Sequence, residues 1–468
     1  MKSILLCLLF PIILTAQTER AALDAYMQAQ ASFNGFNGNV LLAKNGRVIY
    51  QQSFGYADVS AGRKLDSNSV FDIGSIAKEF TAMGILLLKD KGQLNYTDTL
   101  RKFLPQLPYH NVTIEQLLTH TSGMADGFGL VTKFFNHSGV ATNDDLVRLL
   151  ASEKPPLYFK PGAGLAYSGT AFNLLASVIE KITGQPYKTY LYEKVFKPLG
   201  MMHTQVANGP RSAKDIPGLA LAYLYCDSLK RNIPAGKSGW TTYLAGITGE
   251  GMIVTTAGDL FKWDRALKNH ALLNAATQAE MLLLHSQKAM PKVGFGYGMR
   301  VGENDMGNYV FHNGWYPGYL SMHLRYVGED VTAIVLSNNE SHADFIADAL
   351  CAMAVKKPVI MPYSHKETTQ PGNIKFNDNQ YLIEMLRPPY MATFPARFML
   401  KEGKIYIHPE NGNDIALKPE SASKFFYADG SDAQIKFETD GNGNIEKAWQ
   451  ITWGIKKELK KVDGALIK

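Results

Sequence analysis

Residues 71–92 read FDIGSIAKEFTAMGILLLKDKG, and the fold of the chain can be worked out from this stretch. Apolar residues recur at helical spacing from Ile76 to Leu88, and Gly92 ends the pattern. We therefore predict that the chain passes at Ser75 from an extended segment into the first turn of a helix. On that helix Ser75 and Lys78 are three positions apart and share one face.

The Ser75-x-x-Lys78 pair has the chemistry of an activated nucleophile. A serine hydroxyl is a poor nucleophile until a neighbouring base takes its proton, and a lysine can do so when burial and nearby charge lower its pKa. The helix N-terminus adds positive potential at the oxygen that loses the proton. The pair alone is a weak signal, because Ser421-x-x-Lys424 repeats it in a stretch with no other catalytic feature.

Two further segments give the pair a context. Tyr167-Ser168-Gly169 follows the loop-like Pro161-Gly162-Ala163-Gly164 and precedes a helix, so a phenol and a hydroxyl lie on a constrained turn. His312-Asn313-Gly314 follows the short strand Tyr309-Val310-Phe311, and a glycine beside a strand edge lets a substrate backbone approach closely. Three such elements in this order are much more specific than any one of them.

Over most of residues 40–355 the sequence resembles the serine β-lactamase and penicillin-binding-protein superfamily. The resemblance is to its class C-like branch, which includes D-stereospecific peptidases and carboxylesterases. It is carried by segments that are highly specific as a group: FDIGSIAKEFTA, KGQLNYTDTLRKFLP, LLTHTSGM, PGAGLAYSG, FKPLGMMHT, GEGMIVTTAGDLFKW and HNGWYPGYLS.

The resemblance implies a role for each matching residue. Ser75 would be the acylated nucleophile, Lys78 its partner, and Tyr167 the general base that later returns the proton to the leaving group. The backbone N–H groups of Ser75 and Trp315 would hold the oxyanion. The substrate would lie along the remaining residues of the two motifs, which are His312, Gly314, Ser168 and Gly169.

Two positions depart from the family pattern. The second element usually ends in asparagine, whose side chain holds a substrate amide, but Gly169 stands there and cannot donate that hydrogen bond. His312 stands where β-lactamases usually have a lysine, so a fixed cation for a substrate carboxylate is missing. Both departures predict faster hydrolysis of small activated esters than of penicillins or cephalosporins.

The sequence therefore predicts a serine hydrolase that forms an acyl-enzyme with esters, short peptides, D-amino-acid derivatives or other small cell-wall-derived substrates. The alternative is a catalytically weak, penicillin-binding-like module that binds cell-wall or peptide ligands, and the loss of asparagine at 169 favours it. His120 is predicted to order its loop. No cofactor and no metal is predicted, since the 11 histidines show no zinc spacing such as His-Glu-x-x-His.

Length, charge and the N-terminus limit the class of protein further. A chain of 468 residues is long enough for two domains. Its net charge of +6 is small and its basic and acidic residues are interspersed, which argues against a nucleic-acid partner. Residues 1–16 predict a cleaved signal peptide, with an apolar run after Lys2 and then small residues. No later segment could cross a membrane, so a secreted or periplasmic protein is predicted. Cys226 and Cys351 form one disulfide or remain buried thiols.

The order of elements predicts an α+β fold, an α/β sandwich. A hairpin at residues 40–50 and strands beyond Tyr309 enclose a mostly helical region, which predicts one antiparallel sheet flanked by helices plus a helical subdomain. After the hydrolase domain of residues 17–358, the polar, proline-containing residues 359–375 predict a linker. Short alternating segments then predict a small all-β domain over residues 376–468.

Overall fold

The computed structural model describes residues 10–462, except residues 227–228, 230, 286–292, 369–371, 388–389, 411, 429–431 and 453. Residues 1–9 of the predicted signal peptide therefore lie outside the described residues. The chain forms two units. Residues 37–347 form the larger one, and residues 348–468 with the segment up to residue 36 form the other. The domain boundaries derived from the sequence stay predictions.

The elements have the following bounds. The α-helices are α1 Phe10–Phe33, α2 Ala77–Asp90, α3 Leu100–Phe103, α4 Ile114–Leu118, α5 Gly127–Phe134, α6 Asn143–Glu153, α7 Gly169–Thr183, α8 Tyr187–Leu191, α9 Ala257–Lys268, α10 Ala275–Leu282 and α11 Ala343–Ala354. The strands of the larger unit are β1 Gly38–Lys44, β2 Arg47–Phe54, β3 Tyr56–Asp58, β4 Arg63–Lys64, β5 Phe71–Asp72, β6 Gln205–Val206, β7 Tyr223–Cys226, β8 Arg231–Pro234, β9 Ile253–Thr255, β10 Val293–Phe295, β11 Arg300–Asn304, β12 Gly307–Tyr316, β13 Tyr319–Tyr326 and β14 Val331–Ser337. Those of the C-terminal unit are β15 Gln380–Arg387, β16 Tyr390–Lys401, β17 Lys404–Pro409, β18 Ile415–Pro419, β19 Lys424–Tyr427, β20 Ala433–Thr439, β21 Ile445–Thr452 and β22 Ile455–Glu458.

The hairpin β1–β2 joins the start of the larger unit to its end. Asn45 and Gly46 have φ angles of 51° and 73°, the left-handed values that a two-residue hairpin turn requires. Strand β1 pairs with β2 on one side and with β14 on the other. The seven-stranded sheet has the order β10-β11-β12-β13-β14-β1-β2, with antiparallel neighbours. The predicted antiparallel sheet and the α+β class are confirmed.

Helix α2 lies in the core of the larger unit. Nearly all its residues from Ala77 to Leu88 are buried, as in a helix that is surrounded by protein on every side. It packs against α7 and α8, while α9 packs against β1 and β14 of the sheet. The single 3₁₀ turn Gly74–Ile76, just before α2, contacts β12 and β13. Ser75 therefore lies where the helical region meets the sheet.

One strand is longer than the sequence predicts. His312-Asn313-Gly314 does not follow a short strand but lies inside β12, which continues to Tyr316. β12 pairs with β13 residue by residue from Tyr309↔Tyr326 to Tyr316↔Tyr319, so only Pro317 and Gly318 form the turn. Backbone hydrogen bonds to β13 hold His312, Asn313 and Gly314 in the strand, although these residue types are not typical of strands. The local sequence pattern therefore does not indicate that the strand continues.

The C-terminal unit contains an antiparallel meander of eight strands, β15 to β22 in chain order. The N–H of Leu382 donates to the carbonyl of Lys460 at 3.0 Å, and that of Val462 to Gln380 at 2.9 Å. The first strand therefore also bonds to the segment that follows the last strand. Alternate residues of the strands form the core, among them Phe398, Ile405, Ile407, Ile435 and Phe437. The predicted all-β C-terminal module is confirmed.

None of the helices in the described part of the chain is both long enough and apolar enough to cross a bilayer.

Candidate active site

The turn that carries Ser75 is fixed from the rear by a buried ion pair. The Asp72 carboxylate accepts the Gly74 N–H at 2.8 Å and lies 2.6 Å from the Arg211 guanidinium. Both side chains of this pair are almost fully buried. Ser75 follows directly, at the start of the helical segment, where backbone N–H groups and the helix dipole favour negative charge. The local sequence thus places a hydroxyl at an electropositive helix end.

Lys78 reaches the Ser75 hydroxyl from one turn further along. Its Nζ lies 2.9 Å from Ser75 Oγ, 2.7 Å from the backbone carbonyl of Glu250 and 2.9 Å from Glu250 Oε2. The Lys78 side chain is fully buried, and that of Glu250 is 12% exposed. An ammonium has three N–H groups, so these acceptors use all of them. The predicted Ser–Lys contact is present, and Glu250 is a member of the site that the sequence analysis missed.

The environment of Lys78 keeps its side chain charged. Burial by itself would lower the pKa of Lys78, but the Glu250 carboxylate and the Tyr167 phenol outweigh burial and raise it above its usual value. A lysine must have a lowered pKa if it is to act as the base. Lys78 does not meet this requirement, because the Glu250 carboxylate lies 2.9 Å from its ammonium.

Tyr167 covers the Lys78 ammonium from the open side. The Lys78 Nζ is 4.9 Å from the centre of the Tyr167 ring, and 43% of the tyrosine is exposed. Behind it, the N–H of Ser168 donates to His120 Nδ1 at 3.0 Å, and the Ser168 hydroxyl caps α7 by accepting the Ala171 N–H. Ser168 is therefore occupied in holding the turn. His120 orders this loop, as predicted.

Gly314 brings strand β12 against the Ser75 turn. A Cβ at Gly314 would lie 1.8 Å from the Ile73 carbonyl and 3.2 Å from the Ser75 nitrogen, so no side chain fits. The close approach that requires this glycine is to the protein's own backbone and not, as predicted, to a substrate. It also brings the Trp315 backbone next to Gly74, whose own Cβ would lie 2.6 Å from the Trp315 nitrogen. Strand β11 pairs with β12 only as far as Phe311, so Gly314 and Trp315 lie beyond the part of β12 that β11 covers.

His312 is buried beside the site and is uncharged. Its Nδ1 lies 2.6 Å from the Asn313 carbonyl, which makes Nδ1 the protonated nitrogen, and the buried Nε2 has no hydrogen-bond partner. Burial and the nearby Lys78 ammonium hold the pKa of His312 well below its usual value. His312 occupies the position of a lysine in the family pattern but does not supply the positive charge of that lysine.

Arg300, on β11, is a second cation next to Tyr167. Its guanidinium lies 5.9 Å from the Tyr167 ring centre and 4.9 Å from that of Phe295. Its buried Nε has no hydrogen-bond partner, and no carboxylate in the described part of the chain forms an ion pair with it. Burial lowers the pKa of Arg300, although Tyr167 and Tyr309 offset part of this effect. The sequence analysis missed Arg300.

Aromatic side chains line the other side of the site. Trp315 lies edge-on to Trp240 at 6.3 Å, and Trp240 contacts Phe128 at 4.3 Å. Phe128 in turn lies 3.2 Å from the position of a Cβ at Gly169. The Trp315 indole is held by a hydrogen bond to Glu340 at 3.1 Å. Tyr316 is almost fully buried, and its hydroxyl donates to the carbonyl of Trp240 at 2.9 Å.

The second Ser-x-x-Lys motif is not built in this way. Ser421 is exposed, and its Oγ accepts the N–H of Lys424 in a tight turn. The ammonium of Lys424 contacts Tyr363 and lies 3.3 Å from Glu420. The same spacing therefore forms a local structural turn here, whereas at Ser75 it places a fully buried ammonium against the serine hydroxyl.

A buried helix that begins at a Ser–Lys pair, set against an antiparallel sheet with a tyrosine between them, defines the class of active-site-serine proteins with the β-lactamase and penicillin-binding-protein fold. The family model for beta-lactamase matches residues 20–353, and the chain belongs to this family.

Individual proteins show the same relationship. Penicillin-binding protein 4* of Bacillus subtilis is 30% identical over 455 residues, which cover 92% of this chain and 99% of that protein. The penicillin-binding protein of Bacillus halodurans has a TM-score of 0.60 at 25% identity, covering 69% of this chain and 97% of that one. The octameric penicillin-binding protein homologue of Pyrococcus abyssi has a TM-score of 0.66 at 22% identity, covering 94% and 99%. This last likeness is one of fold.

Proposed function

We propose that this chain is a secreted serine hydrolase that forms an acyl-enzyme at Ser75 with esters, short peptides or D-amino-acid derivatives. The observation that carries the proposal is the contact of 2.9 Å between Lys78 Nζ, whose side chain is fully buried, and the Oγ of the half-buried Ser75. The similarity to penicillin-binding proteins supports it. The charged and then apolar pattern of residues 1–16 is the basis for proposing secretion.

The proton path follows from the charge of Lys78. Because the ammonium already donates to Ser75 Oγ, it stabilises the developing alkoxide but does not accept the proton. Tyr167, whose ring centre stands 4.9 Å from that ammonium, acts as the phenolate and takes the proton as Ser75 attacks the substrate carbonyl, which leaves a neutral phenol. It then gives the proton to the leaving group, and water hydrolyses the Ser75 ester.

The oxyanion of the tetrahedral intermediate is held by the backbone N–H groups of Ser75 and Trp315. Their nitrogens lie close together because the two glycines, Gly74 and Gly314, let strand β12 touch the turn. Preorganised donors of this kind each lower the barrier enough to change kcat by about 10²–10³-fold.

The buried guanidinium of Arg300 favours substrates that carry an anionic group. A guanidinium that is largely removed from water and has no protein carboxylate costs free energy until an anion binds to it. Tyr167 lies next to it, so the anion would stand on the leaving-group side of the reacting carbonyl. A short peptide with a free terminal carboxylate meets this requirement, and its amidated analogue does not.

The test is covalent labelling of the full-length protein with a fluorophosphonate, followed by peptide mass analysis. We expect one adduct, on Ser75, and none in Ser75→Ala. Ser421→Ala is the matched control, since it removes the serine of the second motif and should leave labelling unchanged. Activated esters, D-aminoacyl amides and penicillins are then compared as substrates, and esters should react faster than penicillins.

Two results would count against the proposal. Absence of any adduct on Ser75 would favour the penicillin-binding-like module that binds its ligand without turnover. Efficient cleavage of cephalosporins together with no cleavage of esters would show that Gly169 and His312 do not set the substrate preference.

A further inference from the structure

Glu250 contacts the centre of the site with both its backbone and its side chain. Two of the three hydrogen bonds of the Lys78 ammonium go to Glu250, at 2.7 Å to the carbonyl and 2.9 Å to Oε2. The carboxylate and Ser75 Oγ are each 2.9 Å from the same Nζ. The Glu250 carboxylate is therefore close enough to Ser75 Oγ to contact the substituent next to the substrate carbonyl that Ser75 attacks.

Gly169 stands directly beside this carboxylate. A Cβ at Gly169 would lie 3.4 Å from Glu250 Cγ, 3.5 Å from Glu250 Oε2 and 3.2 Å from Phe128 Cε2. Gly169 has no left-handed φ, so its backbone conformation does not require glycine. A longer side chain at this position would enter the volume that Glu250 fills. The backbone would accept another residue, but a side chain longer than Cβ would have to share its space with Phe128 and Glu250.

We propose that Glu250 and Gly169 are an exchanged pair, in which the Glu250 carboxylate takes the place of the family's asparagine side chain at position 169. In this place Glu250 is the positioning residue for Lys78 and determines which acyl groups the site accepts. The inference rests on the proposed function and extends it to a substrate class.

The exchange changes the hydrogen-bonding character of the site. An asparagine amide both donates and accepts, whereas a carboxylate only accepts. The negative Glu250 carboxylate repels the partial negative charge of a substrate carbonyl oxygen. It accepts a hydrogen bond from a substrate N–H or ammonium group. The site therefore selects acyl groups with a free amino group next to the reacting carbonyl, such as D-aminoacyl amides, over their N-acylated forms.

Four variants test the exchange: E250A, E250Q, G169N and the double variant E250A/G169N. E250A should lower kcat about 100-fold, because Lys78 loses its side-chain anchor and small misplacements at a reacting centre are costly. G169N should also lose activity, because asparagine and Glu250 compete for one space. The double variant should recover activity, since the asparagine then has room to hold Lys78.

The substrates are D-alanine 4-nitroanilide and its N-acetyl derivative, which differ only in the group facing Glu250. Wild type should prefer the free amine. E250Q keeps an acceptor for Lys78 but removes the negative charge beside it and adds a donor, so kcat should fall, though less than in E250A. Its KM for the free amine should rise about 10-fold or more, and the preference should move toward the N-acetyl form. E280Q, which removes the carboxylate paired with Lys89 at the far end of α2, is the control and should behave as wild type.

Fluorophosphonate labelling of wild type distinguishes a failure of the proposed function from a failure of this inference alone. An unlabelled Ser75 in wild type would refute the proposed function and this inference with it. A labelled wild type with E250A equally active would overturn the inference alone. So would a folded double variant, by circular dichroism, that is no more active than E250A, or an unchanged substrate preference in E250Q.

Discussion

At the scale of single residues, the charge of Lys78 decides how Ser75 loses its proton. A buried lysine without a partner would lose its charge and could act as the base. Here the carboxylate of Glu250 lies 2.9 Å away, and together with Tyr167 it raises the pKa of Lys78 against the effect of burial. In the proposed mechanism Lys78 is then a fixed cation, and the proton passes to Tyr167.

Replacing either proton-handling residue should therefore abolish most turnover without abolishing binding. We expect K78A and Y167F each to lower kcat by about 10²–10⁴-fold on an activated ester, with small changes in KM. The double variant should cost less than the product of the two effects, because groups that act as a unit are not additive. K89A, which removes a lysine from the same helix α2, is the matched control. Full activity in either single variant would refute these roles.

The sequence identified some members of the site and missed others for a clear physical reason. Ser75 and Lys78 share a helix face, and Tyr167 lies on a recognisable turn, so local patterns reveal them. Glu250 contacts Lys78 from 172 residues away, and no local pattern encodes that contact. The only trace is a glutamate inside GEGMIVTTAGDLFKW, which becomes meaningful once Gly169 is known to stand beside it.

At the scale of elements, a buried ionic cluster joins α2 to the sheet and to α9. His323 on β13 lies 3.1 Å from Glu79 on α2 and 3.2 Å from Asp264 on α9. Burial by itself would lower the pKa of His323, but the two carboxylates raise it to about 9. Asp264 also lies 3.3 Å from Arg325 and contacts Arg265. The charged imidazole thus links three elements behind the Ser75 turn.

This cluster predicts how stability depends on pH. The pKa of His323 is about 9 when folded and near 6.5 when unfolded, so its contribution is complete below pH 6.5 and is lost as pH rises through 9. The free energy of unfolding should fall by roughly 3 kcal/mol over that window, from 1.36 kcal/mol per pKa unit. Urea unfolding at a series of pH values measures this slope.

The variant H323N should flatten the slope whatever its absolute stability, because the group that titrates is gone. The exposed His110 supplies the control, and H110N should keep the wild-type slope. An identical slope in H323N and wild type would show that other groups carry the pH dependence.

The predictability of an element depends on where its stabilising contacts lie. The β1–β2 hairpin and α2 have their turn and their periodicity within one short segment, and both were predicted. Strands β10 and β11 are short, β11 is partly polar, and both exist because β12 pairs with β11 and β11 with β10. The sequence analysis did not identify them, and Arg300 was missed with β11.

At the scale of the whole molecule, the described residues form two large hydrophobic cores, beside a small cluster of four buried residues that includes Val70 and Val254. One is formed by residues between Leu41 and Leu336 and surrounds α2, and the other is formed by residues between Tyr381 and Leu459. A chain with two cores is not expected to unfold in one all-or-none step. Ser75, Lys78 and Glu250 all belong to the larger unit, so ligand binding at the site should stabilise that unit alone.

Differential scanning calorimetry with phenylboronic acid tests this expectation, because a boronate adds reversibly to an active-site serine only when the site is folded. We expect two transitions, of which one moves to higher temperature with the boronate. At a ligand concentration 100 times Kd the stabilisation is about 2.7 kcal/mol. S75A should keep both transitions and lose the shift. A single transition, or an equal shift of both, would show that the two cores unfold as one body. In that case binding at Ser75 would also stabilise the C-terminal meander.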